Sequence, residues 1–164
     1  MNGSLAENVR PELDLFLSLE LQADRAAIWR CWTEGELLRR WFAPEPWSVP
    51  LAQLDVRPGG TMRVTMRGPE GEENAGSSVY LEVVPEQRLV WTMAFSEAWV
   101  PSENPFMVAT IALADLPGGG TRYEALVGHW SAKDCEQHRQ MGFQEGWSKC
   151  ARQLDALALT LGRD

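Results

Sequence analysis

Two histidines and three cysteines are all that this 164-residue chain offers of the side chains that usually hold transition metals or act as soft nucleophiles. His129 and His138 stand apart with no HxH or HExxH spacing, and a metal centre needs its ligands clustered. No metal or cofactor is therefore expected. Cys31, Cys135 and Cys150 are odd in number and include no CxxC pair, which argues against a disulfide framework or a zinc ribbon and for buried thiols. The sequence also lacks the G-x-S-x-G turn of serine hydrolases. Gly59-Gly60 and Gly118-Gly119-Gly120 sit between strand patterns, whereas a phosphate loop must open a helix, so they read as hairpin turns.

No apolar run approaches the roughly 20 residues that cross a bilayer. The opening MNGSLAENVRPELD has neither the basic nor the apolar region of an export signal. A cytoplasmic protein without membrane insertion is the expectation. Basic residues are outnumbered, 15 against 23 acidic, for a net charge of −8. Without a Lys/Arg cluster such a chain is repelled by a phosphate backbone, which argues against nucleic acid as a partner.

What the chain does hold is tryptophan: eight, beside five Phe, six Met and two Tyr. Flat rings and thioethers in that number build either a core or the wall of an apolar cavity. The length suits one domain over residues 1–164, with residues 1–11 as a flexible N-terminal tail. Residues 13–21, LDLFLSLEL, alternate leucine with other residues as a strand covered on one face does. Asp24 caps a short helix carrying Ala27, Ile28, Cys31 and Trp32, and a second short helix with Leu37, Leu38 and Trp41 stops at Pro44 and Pro46. Six further strand patterns follow between Trp47 and Gly128, separated by turn residues, and the polar segment PEGEENAGS reads as a mobile loop. Ser131 and Asp134 then open one long proline-free helix, whose apolar stripe runs through Phe143, Trp147, Leu154 and Leu161.

Short links between successive strands imply antiparallel neighbours, and a sheet of that width curls around the element long enough to fill it. The expected fold is α+β: a seven-stranded curved antiparallel sheet gripping a long C-terminal helix, with two short helices after strand 1.

At this point the chain resembles the polyketide cyclase/START-like superfamily with the birch-pollen-allergen fold. Within it, the likeness is to short stand-alone bacterial members of the branch named for the activator of the ninety-kilodalton heat-shock protein's ATPase. The stretches AAIWRCWTEGELLRRWFAP, LDVRPGGTMRVTMRGPEG, YLEVVPEQRLVWT, PSENPFM, GGGTRYEALVGHWS and HRQMGFQEGWSKCARQLDALA carry the likeness. The resemblance implies the helix-grip fold. It permits ligand carriage, cyclase chemistry or a co-chaperone-like role in stress response, and fixes no catalytic residue. The eukaryotic co-chaperone has a separate N-terminal domain for which 164 residues leave no room.

The functional expectation is a cavity between sheet and C-terminal helix that binds a small hydrophobic molecule such as a lipid. Its wall is assigned to Trp41, Phe42, Trp47, Met62, Val64, Met66, Trp91, Met93, Phe95, Met141 and Trp147. Gly142 and Gly146, four apart in a helical pattern, each cost about 1 kcal/mol relative to alanine. They read either as a close approach of helix to sheet or as room left for a ligand. A second reading is a cyclase- or hydrolase-like enzyme using a buried Glu82, His138 or Tyr80. Strict alternation puts Tyr80 and Glu82 on one strand face, without saying whether it points inward or whether Glu82 pairs outside with an arginine such as Arg63. A third reading is a regulator acting through protein contacts. A homodimer across the outer sheet face stays open as well.

Overall fold

The computed structural model describes residues 3–161. The chain runs β1 (Asp14–Leu21), α1 (Arg25–Thr33), α2 (Gly35–Leu38), β2 (Ser48–Leu54), β3 (Thr61–Arg67), β4 (Glu73–Val84) and β5 (Arg88–Thr92). It continues with β6 (Phe95–Ser96), β7 (Val100–Pro101), β8 (Val108–Asp115), β9 (Thr121–Gly128), α3 (Ala132–Gln140) and α4 (Phe143–Leu161). Seven strands form one sheet in the order β1-β9-β8-β5-β4-β3-β2, all neighbours antiparallel. This is the expected α+β helix-grip architecture.

The leucine alternation in β1 does what its period predicts: Leu15, Leu17 and Leu21 are buried, while Ser18 and Glu20 are exposed. The inner sheet face continues through Tyr123, Ala125 and Val127 on β9, Ala109, Ile111 and Leu113 on β8, and Leu89 and Trp91 on β5. Asp24 caps α1 by accepting from Ala27 N at 2.8 Å, and α1 buries Ala27, Ile28, Cys31 and Trp32 against α4 and the sheet.

Side-chain staples hold α4 in place. The Asp155 carboxylate accepts from the Gln22 and Ala23 amides at 3.0 and 2.9 Å, fixing the β1–α1 turn. Gln153 Nε2 donates to the carbonyls of Trp41 and Ala43 at 3.0 and 2.9 Å, and its Oε1 accepts from Glu45 N at 3.1 Å. These bonds satisfy backbone groups that the irregular segment after α2 leaves without a ladder partner.

Four details differ from the sequence expectation. The C-terminal helix is broken: α3 ends at Gln140, Gly142 adopts φ 93°, and α4 starts afresh at Phe143. A left-handed residue just past the C-cap, which here is Met141, ends a helix, and glycine takes that conformation without steric cost. Residues 73–77, expected in a mobile loop, extend β4, because Arg67 to Thr61 of β3 pair with Glu73 to Val79 in unbroken register. The connection after β5 folds into the small β6–β7 hairpin.

The expected N-terminal tail is docked where described, while residues 1–2 lie outside the described residues. Leu5 is buried, Ser4 Oγ donates to Glu124 Oε2 at 2.5 Å, and Leu5 N donates to Glu124 Oε1 at 3.0 Å. Glu124 is only 2% exposed, and a buried carboxylate needs such donors.

Candidate functional site

Between α4 and the β3–β5 part of the sheet lies a cavity of about 350 Å³, within the range usual for small-molecule sites. Its floor is set by strand register. Met62, Val64 and Met66 of β3 stand opposite Ser78, Gly76 and Asn74 of β4, so each large side chain faces a small or polar one and space remains above the sheet. Trp91 and Met93 continue the floor, and Met107 and Tyr123 extend it.

One wall is aromatic. Trp32 of α1 meets Trp41 edge-on at 4.7 Å between ring centroids, Trp91 at 5.0 Å and Phe42 at 5.7 Å. Trp41 is locked further by its Nε1 donating to Cys31 O at 2.9 Å. Interlocked rings of this kind give a rigid wall. The roof comes from the helix break and the first turns of α4: His138, Met141, Phe143, Trp147 and Cys150, with Gly142 and Gly146 among them. A Cβ built on Gly146 meets nothing within 4 Å. The close-approach reading of this glycine therefore gives way to the other: its missing side chain leaves open volume.

The polar chemistry of the cavity is sparse. Among the described residues, no Lys, Arg, Asp or Glu lines it. Burial pushes the Cys150 thiol up to about 12, and its Sγ points at Phe42 O at 3.6 Å, so it is no thiolate nucleophile. Burial likewise raises the Tyr123 phenol above its ordinary value. Trp32 Nε1 turns toward that phenol without reaching hydrogen-bond geometry.

His138 is the remaining titratable group. It is 7% exposed, ringed by Phe106 and Phe143 at centroid distances of 4.7 and 5.3 Å, and its Nδ1 lies 2.9 Å from His129 Nε2. Desolvation, with a smaller contribution from His129, lowers His138 to about 4.

Of the residues assigned from sequence, Trp41, Phe42, Met62, Val64, Met66, Trp91, Met93, Met141 and Trp147 line the cavity, together with His138. Four do not. Trp47 packs on the core outside the lining. Phe95 stacks edge-on against Trp99 at 5.6 Å in the β6–β7 hairpin, because the chain leaves the sheet after Thr92.

Tyr80 and Glu82 are separated by a bulge: Tyr80 pairs with Trp91 and Glu82 with Val90, leaving Leu81 as the extra residue. The bulge turns Tyr80 into the core, its hydroxyl buried without a partner, and Glu82 out to solvent, where it accepts from Arg88 Nε at 3.2 Å. Strict alternation had put them on one face. Glu82 thus pairs outside with an arginine, Arg88 rather than Arg63, which pairs with Glu97.

Sequence reasoning missed Trp32, Asn74, Gly76, Ser78, Phe106, Met107, Tyr123, Phe143 and Cys150 as lining residues. The signal for the β4 set was present: Asn74, Gly76 and Ser78 repeat at the period of a strand. Among the described residues, no three His, Cys, Asp or Glu side chains come together as a metal centre would need, and no helix is long and apolar enough to cross a membrane.

A seven-stranded antiparallel sheet closed by a C-terminal helix over an apolar cavity defines a START-like protein. The sequence profile described as "Activator of Hsp90 ATPase homolog 1-like protein" matches residues 22–158, and the chain belongs to that family. A Nitrosomonas europaea protein of known structure shares 39% identity over 93% of this chain and 97% of its own, with a TM-score of 0.89. A Mycobacterium smegmatis protein is 26% identical over 92% of this chain and 93% of its own, with a TM-score of 0.77. An Arthrobacter aurescens protein at 22% identity, covering 93% and 89% with a TM-score of 0.78, shares the fold. No curated protein matches the sequence significantly.

Proposed function

We propose that this protein binds a small, neutral, largely apolar molecule in the cavity between α4 and the sheet, as a cytoplasmic carrier or sensor. The observation that carries the reading is the lining itself: thioethers and aromatic rings around about 350 Å³, with no fixed charge among the described residues. A ligand anion or cation entering there would lose its hydration without a counter-charge, which costs several kcal/mol, about what a small ligand gains from burial. Membership of a superfamily in which ligand binding is common agrees with it.

The enzymatic alternative loses Glu82, which lies outside the cavity in an ion pair with Arg88. Among the described residues, His138 is the one base left facing the cavity for it.

Titration with the neutral fluorophore N-phenyl-1-naphthylamine tests the reading, alongside native mass spectrometry of the purified protein. Saturable fluorescence gain at one site per chain, lost in Trp91→Ala and Gly146→Leu, supports it. No binding by the fluorophore and no co-purifying compound would refute it.

A further inference from the structure

Two buried histidines determine which face of an imidazole the cavity receives. His129 Nδ1 lies 3.0 Å from the Leu13 carbonyl oxygen. A carbonyl only accepts, so that nitrogen carries the proton. In a neutral ring His129 Nε2 is then a lone pair, and it sits 2.9 Å from His138 Nδ1. Two lone pairs at that distance repel, so the proton of His138 resides on Nδ1. His138 Nε2 is left bare.

Both rings are buried, at 3% and 7% exposed, and among the described residues no carboxylate is hydrogen-bonded to either. Phe106 packs against both rings, and Phe143 against His138. His138 Nε2 meets no protein donor among the described residues, while the ring lines the cavity. An acceptor that faces an apolar cavity gains a hydrogen bond from a ligand that brings a donor.

We propose that the cavity selects a hydroxyl-bearing apolar molecule, an alcohol or phenol, whose O–H donates to His138 Nε2 while its apolar body lies along Met62, Val64 and Trp91. An ammonium group would also donate, but it would enter a cavity without a carboxylate. A carboxylate has no proton to give. His129 is a positioning residue, holding His138 in the tautomer that accepts. The proposal rests on the binding reading above and adds the ligand's polar end to it.

Displacement of N-phenyl-1-naphthylamine by 1-decanol, its methyl ether and decanoate tests it. The expected result is that decanol displaces the fluorophore at ~10-fold lower concentration than the ether or the anion, the factor one well-placed hydrogen bond supplies. The difference should vanish in His138→Phe. Nitrogen-15 NMR of the histidine rings gives a readout that needs no variant: His138 should show a protonated Nδ1 and an unprotonated Nε2. A proton on His138 Nε2, or equal displacement by decanol and ether, overturns the proposal and leaves cavity binding standing. Failure of the fluorophore to bind, with no compound co-purifying, overturns both.

Discussion

Gly142 and Gly146 lie four residues apart at the start of α4, and the structure predicts opposite outcomes when each is replaced by alanine. Gly146 sits inside the helix, its amide donating to Gly142 O at 2.8 Å, and an added Cβ meets nothing within 4 Å. Alanine there recovers helix propensity at no steric cost, about 0.5–1 kcal/mol. For a chain of this size that raises Tm by roughly 1–4 °C. Gly142 holds φ 93°, where a side chain is strained whatever the space around it. Gly142→Ala should cost about 1–2 kcal/mol.

Thermal and urea denaturation of the two variants beside the parent read both signs in one experiment. Gly146→Leu, which projects further into the same space, should weaken fluorophore binding while keeping the fold. A Tm that falls in Gly146→Ala would refute the reasoning, because it would mean that the helix touches the sheet there and that no open volume exists above Met62 and Val64.

Acid should weaken the fold through His138. Its folded value of about 4 lies below the ordinary 6.5, so the unfolded chain takes the proton first as pH falls. The associated stability is fully present above pH ~6.5 and lost toward pH ~4, at up to ~1.4 kcal/mol per pH unit. Urea midpoints at pH 7, 6 and 5 should therefore fall more steeply in the parent than in His138→Gln, and equal slopes would contradict the assignment. Tyr80→Phe removes a buried hydroxyl without a partner, so stability should hold or rise by up to ~1 kcal/mol; a loss larger than that in chemical denaturation would show a bond the structure does not contain. Asp155→Ala strips the acceptor from the Gln22 and Ala23 amides and should lower unfolding free energy by ~1–3 kcal/mol, with Asp155→Asn recovering part of it.

Periodicity carried the fold because each element obeys one local rule over its length. The leucines of β1, the Asp24 cap and the apolar stripe of α4 state their environment within a few residues. The departures come where a single residue changes the phase. Leu81 inserts a bulge, so the two-residue rule that joins Tyr80 to Glu82 fails: Tyr80 turns into the core and Glu82 to solvent. Gly142 leaves the helical region, and one helix becomes two. Polar residues 73–77 gain strand structure from the register of β3, a long-range partner that local composition does not announce.

The same limit explains the uneven reading of the site. Met62, Trp91 and Trp147 were legible because large apolar side chains at regular spacing must face something apolar. The His129–His138 pair was not. One ring follows β9 and the other lies on α3, and neither spacing nor composition predicts that they meet at 2.9 Å. Yet that contact is what gives the cavity direction. Rings and thioethers accept any apolar shape of suitable size, whereas a lone pair fixed by the Leu13 carbonyl through two imidazoles accepts a donor alone. On the proposed reading, burial selects for size, and the histidine relay selects for the end at which the ligand carries its proton.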